Sequence, residues 1–380
     1  VTPSYNTAGF IAETIASVLS QAGDFTIEYF VMDGGSTDGT TDIIASHADQ
    51  LAAGTWPRSC AGITMEWVSR PDGGQSHAIN QGLRHATGDF VGWINSDDAY
   101  APGAFACVAE QFARHPEADF VYGDGDVIDA TGGLQWRWLS RPYDLRVLTS
   151  YHFLWNDFTN YIMQQSAFWR REVLDRIGYL DEAFHYAMDA EYWIRAGSRG
   201  LTLHHVPRSL ARFRLIPGTK SLSSATAFWE DYLEIFRRHR GVKRLAKYFG
   251  FYYYNLGRQC DFDLRRLMDS KHAILRRWDT LPSPDREQVA REAERGFRLG
   301  CFLIAHDLLE RDLAEDASLF AREAVGGGLS AASHPFAWPY LTRRLLGATL
   351  YGVAQGASRA LIRRFRAHRY DYRYREVGAR

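Results

Sequence analysis

Short stretches of this 380-residue chain carry the residue types that chemistry needs. The densest is Trp93-Ile94-Asn95-Ser96-Asp97-Asp98-Ala99-Tyr100, which sets two adjacent carboxylates directly after the apolar run Phe90-Val91-Gly92-Trp93. That run reads as a buried strand over 90–95, with Gly88-Asp89 as the turn into it, and Pro102-Gly103 opens a helix over 103–114. Neighbouring side chains on an extended chain point to opposite faces, so Asp97 and Asp98 can serve different partners. At the carboxyl end of a strand in an α/β sheet they stand where such sheets bind ligands. A Mg²⁺ or Mn²⁺ ion on a nucleoside diphosphate suits them, because hard cations prefer carboxylate and phosphate oxygens. The blander reading is an Asp pair that caps the 103–114 helix.

Elements earlier in the chain repeat the pattern. Ile27 to Met32 reads as a strand running into Asp33-Gly34-Gly35-Ser36-Thr37-Asp38-Gly39-Thr40. This turn combines a carboxylate, glycines that let backbone approach closely, and capping residues at a helix start. Ile63 to Val68 ends in Ser69-Arg70-Pro71-Asp72-Gly73-Gly74-Gln75-Ser76, followed by a helix from Gln75 to His85. Val1-Thr2-Pro3-Ser4-Tyr5-Asn6 reads as the end of a first strand, ahead of a helix whose buried stripe is Phe10, Ile11, Ile15, Val18 and Leu19. The alternation predicts a mainly parallel sheet with the acidic turns along one edge. There is no GxGxxG fingerprint, and no lysine precedes Lys220, so a P-loop is excluded. Strand candidates at 120–124 and 127–129 flank a turn, and Gln164 to Arg170 reads as a strand leading into a helix over 171–177. Residues 140–160, rich in aromatic, Asp and Asn side chains, suit either sugar recognition or a packed lid. Asp189, in Met188-Asp189-Ala190-Glu191-Tyr192-Trp193-Ile194-Arg195, stands at a helix start, where a carboxylate favours the positive end.

Taken in order and spacing, Pro3-Ser4-Tyr5-Asn6, Asp33-Gly34-Gly35-Ser36-Thr37-Asp38, Asp72-Gly73-Gly74-Gln75 with Ala78 to Gly82, and Asn95-Ser96-Asp97-Asp98 resemble glycosyltransferase family 2. These are inverting enzymes of the GT-A fold, here of the bacterial surface-glycan type, and the likeness covers roughly residues 1–215. It implies that Pro3 and Tyr5 border the nucleotide base and that Asp33 hydrogen-bonds it. Asp72 would lie by base and ribose, Asp97 by the ribose, and Asp98 would ligate the divalent metal, Mn²⁺ or Mg²⁺, on the diphosphate. Asp189 matches the family's general base, with Met188 where a Glu usually precedes it. Gln165, Trp169 and Glu191 would fall on the acceptor and sugar side. Many relatives carry a His near position 216 that holds metal or diphosphate; here Ile216 cannot, leaving Arg214 or Lys220 to supply charge. The QxxRW motif of the processive synthases is absent, and Gln135-Trp136-Arg137-Trp138 has the wrong spacing.

The resemblance thus implies an α/β GT-A domain over 1–215 and a mostly helical C-terminal domain over 216–380. It further implies transfer from a nucleotide-diphosphate sugar, a UDP-sugar first, to a hydroxyl of a glycan or lipid-linked glycan, forming a β-linkage. A catalytically silent sugar-nucleotide binder and a nucleotidyltransferase are the alternatives, the second disfavoured because residues 1–15 hold no Lys or Arg. The formal charge of −1 hides a split. Residues 1–215 carry 15 Arg and no Lys against 26 Asp and Glu, while 216–380 carry 29 Lys and Arg against 19 acids. In the second half, apolar periodicity around 228–236, 245–256, 287–308 and 313–325 predicts helices. The amphipathic stretch 345–362 leads into Arg363-Arg364-Phe365-Arg366-Ala367-His368-Arg369, which suits either an anionic membrane surface or a solvated tail. No nucleic-acid motif accompanies it. Cys60, Cys107, Cys260 and Cys301 are far apart and form no CxxC pair, which fits a reducing compartment rather than a disulfide or zinc framework. No signal peptide and no run of about 18 apolar residues is visible, so the expected location is cytoplasmic, peripheral on the inner face of the membrane. Val1 already reads as strand, so upstream residues are expected.

Overall fold

A computed structural model describes residues 1–149, 162–217, 219–220, 225–241, 245–326, 332–333, 335 and 337–345. Within it the chain divides into two compact units, at residue 223 rather than 215.

In the first unit, β1 (Thr2–Ser4), β2 (Gly23–Asp33) and β3 (Cys60–Ser69) form a wholly parallel sheet in the order β1-β2-β3, with Pro3 beside Met32 and Tyr29 beside Met65. The crossovers are α1 (Ile11–Leu19) and α2 (Thr40–Ala52), and α3 (Gln75–His85) leads on from β3 to β4 (Phe90–Gly92). β4 is shorter than expected, but it reaches the first sheet through Val1. The Val1 nitrogen donates to Gly92 O at 3.0 Å, and its carbonyl accepts from the Ile94 N–H at 3.0 Å. The ends of β1, β2, β3 and β4 therefore share one edge.

The second sheet runs β4-β8-β6-β9-β5, from β5 (Ala99–Tyr100), β6 (Phe120–Ile128), β8 (Ala167–Arg170) and β9 (Leu203–Arg214), with β7 (Leu134–Trp138) on β6. Its pairs are antiparallel except β6 with β9. The parallel expectation thus holds for the first sheet and gives way to mixed pairing in the second. β6 is one strand where two around a turn were expected. Its glycines are not turn residues: a β-carbon on Gly123 would sit 2.6 Å from Arg208 O, and one on Gly125 2.7 Å from Ala211 O. Glycine lets the two backbones close here.

α4 (Ala104–Arg114) begins after Gly103 in a left-handed conformation, so glycine rather than the Asp97–Asp98 pair occupies the cap position. Ile11, Ile15, Val18 and Leu19 bury in one cluster with Val31, Val108, Phe112 and Val121. Phe10 leaves that stripe and lies 5.1 Å beneath the Arg214 guanidinium. The short α5 (Leu145–Leu148) is capped by Asp144, and the aromatic segment from 150 to 161 lies outside the described residues. A 3-10 turn at Gln164–Ser166 precedes β8, and α6 (Val173–Ile177) and α7 (Met188–Ser198) follow.

The second unit is helical as expected, with α8 (Ala225–Arg240), α9 (Ala246–Gln259), α10 (Leu264–Ser270), α11 (Ser283–Glu310) and α12 (Ala314–Val325). Aromatic rings carry much of its packing, with Phe236 on Tyr248 at 4.0 Å and Trp229 on Phe251 at 5.7 Å. Among the described residues no helix is long and apolar enough to cross a membrane. The basic segment beyond 345 lies outside them.

Candidate functional site

The turns after β1 and β2 are tied to each other. Asn6, at φ 51°, donates its backbone N–H to Ser36 Oγ at 2.7 Å and accepts the Thr37 N–H through Oδ1 at 2.9 Å. Asp33 is the hub of the second turn. Its carboxylate accepts from the N–H groups of Gly35 and Ser36 and from the hydroxyls of Ser36 and Ser69, at 2.5–3.1 Å. Burial pushes its pKa up, but these four donors outweigh it and hold the carboxyl below its ordinary value. At 2% exposure Asp33 shapes the turn, with three of the four donors on Oδ2 and one on Oδ1. Pro3 is likewise buried within β1 and backs the site.

Tyr5, by contrast, is 64% exposed. A β-carbon on Gly34 would lie 3.4 Å from the Tyr5 ring and 3.3 Å from Asp72 Oδ2, so ring, bare backbone and carboxylate converge. Asp72 Oδ1 accepts the Gly74 N–H at 2.7 Å at the start of α3. Aromatic face, hydrogen-bond acceptor and side-chain-free floor together suit a flat heterocycle.

At the end of β4 the two adjacent aspartates part company. Asp98 is 1% exposed. Its Oδ1 accepts the Arg214 N–H at 2.8 Å, and its Oδ2 accepts Gln165 Nε2 at 2.7 Å and Asn95 Nδ2 at 3.1 Å. Burial, reinforced by the neighbouring Asp97, pushes its pKa well above the ordinary value. The expected metal ligand is thus enclosed by protein donors. Asp97 is half-buried, and among the described residues no cation pairs with it. Burial raises its pKa, against its own backbone N–H and the Arg214 charge. A partly desolvated carboxylate that forms no salt bridge among the described residues would suit a divalent cation. No group of three or more His, Cys, Asp or Glu forms a metal cage among the described residues, so phosphate oxygens and water would complete the shell.

Arg214, expected to offer charge to the ligand, is 1% exposed and spent on the scaffold. It donates Nε to Asp97 O at 2.9 Å, Nη1 to Asp129 O at 2.8 Å, and pairs with Glu13. Lys220 is placed differently. Its Nζ donates to Gln75 Oε1 at 3.0 Å and lies 5.2 Å over the Tyr186 ring. Gln75 Nε2 in turn donates to Asn95 Oδ1 at 2.8 Å. Lys220, Gln75, Asn95 and Asp98 thus form one chain of hydrogen bonds, with Gln165 donating separately to its Asp98 end. Gln75 and Asn95 stand within the sequence motifs, but an uncharged amide does not reveal its partner in sequence, so neither has an assigned role there.

Asp189 lies in the first turn of α7, half-buried, with Oδ1 accepting the Ala190 N–H at 2.7 Å. The cap position itself belongs to Ala187. Two acceptor-side expectations are corrected. Trp169 is 0% exposed, packed edge-on to Trp93 at 5.5 Å and against Trp193. Glu191 is 3% exposed and holds Arg195 through bonds of 2.8–3.2 Å. Gln165, also buried, serves Asp98.

Comparison with known proteins agrees with this layout. The model of glycosyl transferase family 2 matches residues 1–178. A PGL/p-HBAD biosynthesis glycosyltransferase of Mycobacterium tuberculosis is 30% identical over 200 residues, 52% of this chain and 68% of that protein. The O-antigen biosynthesis protein RfbC of Myxococcus xanthus is 27% identical over 216 residues, 56% of this chain and 15% of that one. Among solved structures, S. aureus TarS 1–349 in complex with UDP matches with a TM-score of 0.50 at 16% identity, over 86% of this chain and 90% of that one. The chain spans 53% of the longer TarS chain. At that identity the structural match speaks to fold alone. Fold and turn chemistry arrive at the same place as the sequence match: the chain belongs to glycosyltransferase family 2 and is a nucleotide-sugar glycosyltransferase of GT-A type.

Proposed function

We propose that the chain transfers a sugar from a UDP-sugar to a hydroxyl of a glycan or lipid-linked glycan, with inversion, in the synthesis of a bacterial surface glycan. The observation that carries the donor half is the convergence of Tyr5, Gly34 and Asp72. Tyr5 would stack on the base, Asp72 would accept from base or ribose, and Asp97 with the diphosphate oxygens would hold Mn²⁺ or Mg²⁺. The bound cation would supply charge neutralisation for the leaving nucleoside diphosphate. Lys220, steadied by Gln75 and Tyr186, adds positive charge on the same side. Surface glycan and UDP are taken from the relatives, the O-antigen biosynthesis protein and the TarS complex with UDP.

Asp189 is the general base. It would take the proton of the acceptor hydroxyl as that oxygen attacks the anomeric carbon and the diphosphate leaves from the opposite face, so an α-linked donor gives a β-linked product. Asp189→Asn tests this. The amide keeps the volume and the contact to the Ala190 N–H, so melting temperature and UDP affinity should hold. Transfer should fall on the order of 10²–10⁴-fold, the usual loss with a positioned base. Transfer within a few-fold of wild type would remove Asp189 from that role, and a silent nucleotide binder would release no UDP in any variant.

A further inference from the structure

We infer that Asn80, on α3, is a positioning residue that sets where Asp189 stands against the donor turns. The inference rests on the proposed base and adds the element that places it. Asn80 is 1% exposed, and its amide closes both backbone groups of one distant residue: Oδ1 accepts the Leu180 N–H at 3.0 Å and Nδ2 donates to Leu180 O at 2.9 Å. Nδ2 also donates to Glu182 Oε1 at 2.8 Å. One turn back on the same face, Ser76 Oγ donates to Phe184 O at 3.1 Å, and His77 Nδ1 meets Glu182 Oε2 at 3.0 Å. One turn forward, the Arg84 guanidinium lies 5.0 Å from the Tyr179 ring centroid. Residues 76, 77, 80 and 84 recur at helical spacing, so a polar stripe of α3 is given over to the segment 179–184.

The buried members of this stripe, Ser76 and Asn80, fix register. Sliding 179–184 by one residue would leave the Leu180 backbone groups and the Asn80 amide unpaired in the interior, and an unpaired buried polar group is costly. Beyond the clamp the chain has little slack. Phe184 is 0% exposed, Ala187 is 1% exposed at the α7 cap, and Asp189 follows. The opposite end of α3 is equally committed. Gly74 is tied to Asp72, and Gln75 joins Lys220 to Asn95. One helix of 11 residues therefore holds the donor turn at its tip and the base-bearing segment along its side. A base misplaced by about 1 Å can cost on the order of 10²-fold in rate, so this tether bears on transfer and not on nucleotide affinity.

The test is a double-mutant cycle on the full chain, reading UDP release from the UDP-sugar that wild type consumes and UDP affinity by calorimetry. Asn80→Ala should lower kcat on the order of 10–100-fold with UDP affinity within about two-fold of wild type. In the Asp189→Asn background it should cost nothing further, because a residue acting through Asp189 has no effect once the base is gone. Ser76→Ala, a milder break in the same clamp, should give a smaller kcat loss with the same non-additivity, and it stands in if Asn80→Ala does not fold. Losses that multiply with Asp189→Asn, or that track a fall in UDP affinity, overturn the inference and leave the base intact. If Asp189→Asn alone retains wild-type transfer, the base assignment fails and the inference with it.

Discussion

Asp97 and Asp98 show how little adjacency in sequence says about chemistry. They differ by one position, yet the Asp98 carboxylate accepts three protein donors, while Asp97 forms no salt bridge among the described residues and has only the Arg214 charge nearby. The two substitutions should therefore separate cleanly. Asp98→Ala leaves the Arg214 N–H, Gln165 and Asn95 facing a void, and losses of roughly 1–3 kcal/mol for a newly unsatisfied buried group predict a clear drop in melting temperature. Asp97→Ala should leave the melting temperature near wild type and abolish any gain in UDP affinity on adding Mn²⁺. Thermal scans and calorimetry with and without Mn²⁺ check both. A Mn²⁺ effect that survives Asp97→Ala and vanishes in a folded Asp98→Ala would restore the metal to Asp98.

At the scale of an element, α7 is held by burial along most of its length. Met188, Ala190 to Ile194 and Ala196 are buried, and Tyr143 Oη donates to Trp193 O at 2.8 Å. Arg195 ties the far end by donating to Ile177 O and Tyr179 O as well as to Glu191. Glu191 is thus half of an internal ion pair, and removing one partner of such a pair typically costs about 3–5 kcal/mol. Glu191→Ala should lower the melting temperature by several degrees while UDP affinity stays unchanged below the transition. If the melting temperature is untouched and acceptor saturation alone suffers, Glu191 belongs to the acceptor site after all.

The molecule as a whole is two units with separate cores, and the second has its own acid sensitivity. Glu234 receives Arg237, Arg238 and the Trp278 indole at 2.6–2.7 Å. Burial raises its pKa, but these donors outweigh it and bring it down to about 2 from 4.5. Because the folded state holds the carboxylate ionised, the stabilisation is full above the unfolded value and is lost as pH falls from about 4.5 to about 2. The shift corresponds to about 3 kcal/mol at most, less what solvent screening of the partly exposed arginines removes. Glu234→Gln should lower stability at pH 7 and flatten the acid limb in that window. Identical acid limbs in urea titrations of the two proteins would rule Glu234 out as its source.

The sequence by itself was enough for whatever local periodicity and turn chemistry dictate. α3 occupies Gln75–His85 as its pattern predicts, α4 closely follows the expected 103–114, and the acidic turns do stand at the ends of β2, β3 and β4. The repeat of carboxylate and glycine after successive strands carried the family as well. What the sequence left open was burial and partnership, which depend on chains that arrive from far away. Gly125 and Asp126 fall between two strand candidates until β9 pairs along the whole run, and Trp169, expected on the acceptor side, is enclosed by Trp93 and Trp193. Asp33 and Asp98 read alike as carboxylates, and only the fold gives them Ser69, Gln165 and the Arg214 N–H as partners. An aspartate carries the same charge whether it faces a cleft or a backbone N–H. Which of the two it meets is settled by long-range contacts such as that between residues 98 and 214, and these form only in the folded chain.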